Sequence, residues 1–199
     1  MNVLRMGLPA VLLVVIASGS DNKKFSPGTA SSYSTKQTND NVTVAAVVYD
    51  TDELAHSAFG KLNPYQYGVL PVLVIIQNDT DKAVRLDHLQ VEYVGLDGSH
   101  VEPTPVDDIR YLGSSPQRPK PNMGSPIPPA VFKKKNPLNA QEITERAFLA
   151  RMLPPHESAS GFFYFQAKQR PGSRLYLAGL TEAGTGKGFM YFEIGLDRN

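Results

Sequence analysis

Residues 67–81 (YGVLPVLVIIQNDTD) constrain the fold of this chain more than any other stretch. The segment holds an apolar run from Val69 to Ile76 that only Pro71 interrupts, and five residues of that run are β-branched. Such side chains suit a pleated, packed surface better than a helix. A short apolar run bounded by turn formers is typical of a strand buried on both faces. The sequence therefore predicts a central strand here, after which residues 77–81 turn the chain.

Further strand signals place this segment in a mainly β domain. Residues 42–49 are rich in valine and indicate a first strand, and residues 89–94 alternate apolar and polar side chains, as a half-solvated strand does. The Leu-Asp-Gly sequence at 96–98 is a strong hairpin signal. Three more strands are expected at 160–166, 173–180 and 188–195, with a hairpin loop over 181–187. The predicted fold is an antiparallel β-sandwich of about seven or eight strands.

Two stretches predict helix. Thr51 can cap a short helical turn over residues 52–59. The longer prediction is one helix over residues 139–152, in a connection between strands. Asn139 and Glu142 resemble a capping box at its start, and apolar residues at helical spacing give it one face that can lie on the sheet.

The N-terminus reads as a secretory signal over residues 1–17. Arg5 supplies a short positive region, and residues 8–17 supply ten apolar or small residues with Pro9 among them. That run is about half of the roughly 20 residues needed to span a bilayer, so we expect no transmembrane helix. Residues 18–41 are polar and are expected to form a flexible linker. The single folded domain is then 42–199, in an exported protein that is periplasmic, secreted or on the cell surface.

Charge and cysteine content exclude several classes of function. The formal net charge is +1, which gives no global field to recruit nucleic acid. There is no cysteine, and this excludes disulfides, thiolate zinc sites and cysteine nucleophiles.

One segment departs from this neutral background. Residues 113–137 carry seven prolines, which favour the extended polyproline conformation. Residues 109–141 carry six basic residues and no acidic ones. This loop predicts a contact with an anionic partner, such as lipid head groups, an envelope polymer or an acidic patch on another protein; a loop kept soluble by its lysines is the alternative. The predicted contact residues are Arg110, Arg118, Lys120, Lys133, Lys134 and Lys135.

No motif indicates catalysis or a bound cofactor. The Gly-rich residues 183–188 lack the spacing of a phosphate-binding loop and precede a predicted strand. The turn at 78–81 lacks the spacing of a calcium loop, and no G-x-S-x-G elbow occurs. The histidines, none of which has a metal-ligand spacing to another, are His56, His88, His100 and His156. We therefore expect no catalytic residue, metal or cofactor.

The order of these features resembles the immunoglobulin-like domains of bacterial surface and periplasmic proteins. A strand that ends in an Asn-containing turn, here 72–78, precedes a late stretch of prolines, small residues and aromatics, here 153–165 (LPPHESASGFFYF). The signal and polar linker are similar to those of bacterial lipoproteins, but Ser18 or Ser20 stands where the lipidated cysteine would be, so lipid anchoring is not supported.

The resemblance implies a non-catalytic extracytoplasmic binding or assembly module of the cell envelope, because domains of this kind mostly bind or assemble. Its expected partner is another envelope protein or an anionic envelope component, and not nucleic acid. A small secreted hydrolase or metal-dependent enzyme stays open as the alternative, since fold alone does not fix function.

Overall fold

A computed structural model describes residues 25–112 and 136–197 of the chain. In these ranges the chain forms eleven β-strands in three antiparallel sheets, and the mainly β class is therefore confirmed. The strands are β1 Lys36–Asn39, β2 Val42–Val48, β3 Leu70–Asn78, β4 Val84–Arg85, β5 Gln90–Val94, β6 His100–Val101, β7 Met152–Leu153, β8 Ser158–Phe165, β9 Arg174–Ala178, β10 Thr181–Glu182 and β11 Phe192–Gly195. The helices are α1 Asp52–Phe59 and α2 Gln141–Glu145, with 3-10 turns at Ala30–Ser32, Pro64–Tyr67 and Val106–Tyr111.

The two four-stranded sheets pack face to face in a sandwich-like arrangement. We call the sheet β1-β2-β3-β8 the covered sheet, the sheet β11-β9-β5-β6 the open sheet, and the three-stranded sheet β10-β4-β7 the small sheet. The core between the covered sheet and the open sheet is mostly aliphatic. It takes Val72, Val74 and Ile76 from β3, and Leu175 and Leu177 from β9. The two sheets thus share one hydrophobic core, to which the small sheet contributes Val84 and Leu153.

The other face of the covered sheet is buried as well, under helices and connections. Leu73 and Ile75 of β3 lie in a second cluster that also holds Phe162 and Tyr164 of β8. This outer cluster is completed by Ala30, Ala45, Tyr49, Ala55, Ala58, Phe59, Val69, Ile109, Leu138 and Ile143. The prediction of a central strand buried on both faces is therefore confirmed, since β3 pairs with β2 on one side and β8 on the other.

The prediction of a helix over 139–152 is wrong except at Gln141–Glu145, which forms α2. Helix α2 ends at Glu145, and the chain then runs beside β8. The Phe148 N–H donates to the Phe162 carbonyl (3.0 Å), and the Phe162 N–H donates to the Arg146 carbonyl (2.8 Å). These bonds to the edge strand replace the helical bonds of the same groups. Asn139 is not the cap either, because Ala140 occupies that position without a side-chain bond.

The expected linker is also wrong for the part of it that the structure describes. Lys36–Asn39 forms β1, which pairs with β2 through a two-residue turn at Asp40 and Asn41. Both turn residues have positive φ (47° and 59°), as the favoured hairpin turns require. Ala30 is fully buried. The expected signal peptide, 1–17, and the linker as far as residue 24 lie outside the described residues.

Smaller differences concern strand number and bounds. The described residues form eleven strands against the seven or eight expected, and β10 occupies the first two residues of the loop expected over 181–187. The final strand begins at Phe192 rather than at residue 188. Within the described ranges, the chain has no helix with both the length and the apolar composition needed to span a membrane.

Candidate functional site

The outward face of the open sheet carries two neighbouring tyrosines. Because side chains alternate along β9 and Leu175 and Leu177 enter the core, Tyr176 lies outward. Its ring centroid is 5.5 Å from that of Tyr191, with an angle of 31° between the ring planes. Tyr191 is 50% exposed. A pair of rings held by a sheet offers a fixed apolar platform to a partner.

Carboxylates flank this platform on both neighbouring strands. Tyr176 lies in register with Glu92 on β5 and with Glu193 on β11. Arg174 Nη1 donates to Glu193 Oε1 (2.5 Å), and His100 Nδ1 lies 2.6 Å from Glu92 Oε2. With the histidine neutral, these side chains carry a formal charge of −1. We call this surface the tyrosine face, made of Glu92, His100, Arg174, Tyr176, Tyr191 and Glu193.

Side chains of β1 fix the backbone of β11 beneath the tyrosine face. Gln37 Oε1 accepts a hydrogen bond from the Glu193 N–H (2.8 Å), and Asn39 Nδ2 donates to the Tyr191 carbonyl (2.9 Å). Since β1 belongs to the covered sheet, the two large sheets are joined along this edge. Tyr176 is thus positioned by β9, and Tyr191, the residue before β11, is held through its carbonyl by Asn39, which favours precise recognition.

The outward face of the covered sheet also holds aromatic residues, but they are buried. Phe162 packs against Tyr49 with the rings perpendicular (centroids 4.9 Å apart) and against Phe59 (4.8 Å). The Arg146 guanidinium lies over the Phe59 ring at 5.9 Å and over Phe25 at 5.3 Å. Arg146 Nη1 is buried and has no hydrogen-bond partner among the described residues. Cation–π contact is therefore its observed interaction.

Two tyrosines of the outer cluster have shifted pKa values. Burial raises the pKa of Tyr49 to about 12, and Tyr33 adds to the effect. Burial also raises the pKa of Tyr164, against a smaller opposing effect of Arg146. The Tyr164 hydroxyl donates to the Ile143 carbonyl (2.8 Å), so it ties β8 to α2. These phenols are structural groups, and their burial keeps them protonated.

Two stretches singled out in the sequence meet at one end of the sandwich. The Gly-rich loop and the polar turn after β3 both line a depression of about 380 Å³. Lys82 Nζ donates to Glu182 Oε1 (2.7 Å), as does Thr185 Oγ1 (2.9 Å), and these bonds hold the pKa of Glu182 below its usual range. The polar groups here thus satisfy one another. The lining residues are Asp40, Asn41, Thr80, Glu182, Lys187, Gly188 and Phe189.

Asn78 of that polar turn has a structural role. It is fully buried, and its Nδ2 donates to the carbonyls of Lys82 (2.8 Å) and Pro154 (2.9 Å). Its Oδ1 accepts from the Thr80 N–H (3.1 Å) and hydroxyl (2.7 Å). Buried polar groups need such partners. Asn78 therefore fastens the end of β3 to the connection before β8.

The histidines do not come together. His100 contacts Glu92 on the tyrosine face, His156 contacts Asp81 (3.2 Å), and His88 lies 3.7 Å from Asp87. Across residues 25–112 and 136–197, no group of three side chains of the metal-ligating types forms.

The predicted anionic-partner residues lie mostly outside the described residues. Arg110 is the exception: it is exposed, and its guanidinium lies over the Tyr111 ring at 5.0 Å. The residues outside are Arg118, Lys120, Lys133, Lys134 and Lys135. The contact with an anionic partner stays a prediction.

The flanks of the basic segment locate it on the molecule. Asn136 Nδ2 donates to the Arg110 carbonyl (2.5 Å), so the two ends lie close together. Ile109 and Leu138 are buried in the outer cluster of the covered sheet. The segment therefore leaves and re-enters the fold on the side opposite to the tyrosine face.

No sequence motif marks the tyrosine face. In the sequence, Leu175 and Leu177 alternate with Arg174 and Tyr176, a pattern that indicates an exposed strand face. The neighbourhood of Tyr191, however, depends on the pairing of β11 with β9, which no local pattern specifies.

No protein family, curated protein or solved structure matches this chain. Mainly β folds serve many unrelated functions, so function is inferred here from the surfaces of the chain itself.

Proposed function

We propose that this chain is a non-catalytic extracytoplasmic binding or assembly module of the cell envelope, built on an immunoglobulin-like sandwich. The observation that carries the proposal is the tyrosine face. It presents two tyrosine rings flanked by carboxylates, while the outward face of the covered sheet is buried. Tyrosine is enriched at binding surfaces because it combines a large rigid ring with a hydrogen-bonding group.

Two features of the sequence support the rest of the proposal. Arg5 and the short apolar run over 8–17 support export. The six basic residues between Arg110 and Lys135 support a partner with negative charge, either another envelope protein or an anionic envelope component. The tyrosine face and the basic segment would then be two separate contact surfaces.

Co-sedimentation of the purified chain with isolated cell-envelope fractions tests this function. The double substitution Tyr176→Ala, Tyr191→Ala should abolish most binding without lowering the melting temperature, because neither ring belongs to a buried cluster. Leu149→Ala is a matched control, since Leu149 is 69% exposed but lies on the connection before β7, outside the open sheet. Wild type and control should pellet equally. Failure of the wild-type chain to pellet, or equal pelleting of all three proteins, would refute the proposal.

A further inference from the structure

We infer that the tyrosine face binds the basic, proline-rich segment 113–137 of a second copy of this chain, so that molecules associate head to tail. The inference rests on the proposed function and names a partner for its binding surface. Three observations support it: the chemistry of the face, the composition of the segment, and the placement of the segment's flanks on the side opposite to the face.

The chemistry of the face suits a proline-rich chain. Extended proline-rich segments dock on exposed aromatic rings, and they lose little conformational entropy because they are already extended. Tyr176 and Tyr191 supply adjacent rings with centroids 5.5 Å apart. Tyr191 and its neighbour Met190 are at least half exposed (50% and 67%), so these side chains are accessible to a partner.

Charge favours the same occupant. The tyrosine face carries a formal charge of −1, with Glu92 and Glu193 on the strands either side of Tyr176. Residues 109–141 carry six basic side chains and no acidic one. Lysine and arginine side chains can therefore reach carboxylates beside the rings, and hydrogen bonds between charged groups are the stronger kind. An anionic polymer would meet a face of the wrong sign.

Geometry selects a second copy over the same molecule. The flanks of the segment are held by Ile109 and Leu138 in the cluster that covers the outward face of the covered sheet. The tyrosine face lies on the outward side of the open sheet. The thickness of the sandwich therefore separates the flanks of the segment from the tyrosine face of the same molecule. The face of a second copy can approach these flanks directly. Because the flanks of the segment and the tyrosine face lie on opposite sides of each copy, the contact is heterologous and can repeat.

Sedimentation velocity of the full chain over a concentration series, at low ionic strength, tests the inference. The weight-average mass should rise with concentration beyond that of a dimer, and a synthetic peptide of residues 113–137 added in excess should reverse the rise. Tyr176→Ala with Tyr191→Ala should weaken association by about tenfold or more, as expected for aromatic hot-spot residues. Tyr176→Phe with Tyr191→Phe keeps both rings and should retain most of the association, which separates loss of the platform from loss of folding.

A mixing experiment tests the head-to-tail arrangement itself. The double alanine variant keeps its segment but lacks the face, whereas Lys133→Gln, Lys134→Gln, Lys135→Gln keeps the face but lacks most of the segment's charge. Each variant alone should stay monomeric. Their mixture should form a one-to-one dimer that does not grow, because one intact face meets one intact segment.

Three results would overturn the inference. They are a wild-type chain that is monomeric at every concentration, association that is retained by both the double alanine and the triple glutamine variant, and a mixture of these two variants that stays monomeric. Envelope co-sedimentation separates these failures from failure of the proposed function. If the double alanine variant still loses envelope binding while wild type is monomeric, the face binds an envelope partner of another kind. If envelope binding is absent as well, the proposed function falls too.

Discussion

The two large sheets of this molecule differ in what they do with their outward faces. The covered sheet points Leu73, Ile75 and Phe162 outward and buries them under helices and connections. The open sheet points Glu92, Arg174 and Tyr176 outward and leaves them accessible. The same antiparallel pairing thus gives a sheet whose central strand β3 is buried on both faces in one place, and a one-sided sheet in the other.

The difference teaches that the outward residues decide which surface is free for a partner. Exposing a row of outward aliphatic side chains to water costs free energy. In this chain α1, α2 and the 3-10 turn Val106–Tyr111 cover these side chains. A row of charged and tyrosine side chains needs no cover. The surface left open is therefore the one where exposed aromatic groups can serve binding.

The largest expected effect is on the unfolding free energy, when a side chain is shortened on each of the two sheets. Ile75→Ala empties a buried position of the covered sheet and should cost roughly 2–5 kcal/mol of unfolding free energy. Val94→Ala removes methyl groups from the outward face of the open sheet and should cost about 0.5 kcal/mol or less. Denaturant melts of both variants give the two values. Equal costs would mean that the two outward faces do not differ in burial.

Gly161 tests how closely the cover approaches the covered sheet. A Cβ at this position would lie 2.5 Å from Phe148 Cα and 2.6 Å from Phe148 N, both backbone atoms. Gly161→Ala should therefore displace the strand-like segment 146–148 and destabilise by about 1–3 kcal/mol, as overpacking does. Gly195→Ala on the open sheet is the control, because nothing lies within 4 Å of its added Cβ. If Gly161→Ala melts like the control, the backbone of Phe148 does not lie as close to Gly161 as the structure places it.

Alkaline pH should destabilise the covered face through its buried phenols. The pKa of Tyr49 is about 12 in the folded chain, against an ordinary value of 10.0. The unfolded chain loses this proton first, so the stabilisation is complete below about pH 10 and is lost as pH rises towards 12. The melting temperature should fall over this interval, and Tyr49→Phe should fall less. Parallel curves for the two proteins would show that Tyr49 does not carry the effect.

The smallest effect on stability is expected in the basic segment. Replacing Lys133, Lys134 and Lys135 with Gln should leave the melting temperature nearly unchanged if the segment makes no core contact. The same change should reduce co-sedimentation with anionic vesicles at low salt. The wild-type contact should itself weaken between 0.1 and 1 M salt, as the Debye length falls from about 10 Å to about 3 Å. Equal, salt-independent sedimentation of both proteins would leave this segment as a soluble connector.

The sequence predicts the parts of this fold that depend on local signals. The apolar run of β3, the Thr51 cap of α1 and the turn before β6 are each specified within a few residues, and the structure confirms all three. The prediction of a helix over 139–152 is wrong because the bonds that Phe162 makes with Phe148 and Arg146 join groups far apart in the sequence. Strand β1 is missed because its exposed polar side chains look like those of a linker.

The candidate site depends even more on long-range pairing. Tyr176 can be placed on an exposed strand face from its neighbours, but Glu92, Tyr176 and Glu193 become one surface only through the register of β5, β9 and β11. Periodicity indicates which way a side chain points. It does not indicate which strand lies alongside.

The side-chain bonds from β1 to β11 have a consequence for aggregation. An edge strand normally exposes a row of backbone donors and acceptors that can template the strand of another molecule. On β11 the Glu193 N–H donates to Gln37, and just before β11 the Tyr191 carbonyl accepts from Asn39. Amide side chains thus occupy positions that an incoming strand would need. At this edge the molecule is protected against open-ended strand addition. The adjoining tyrosine face can therefore expose aromatic side chains without promoting aggregation through this edge.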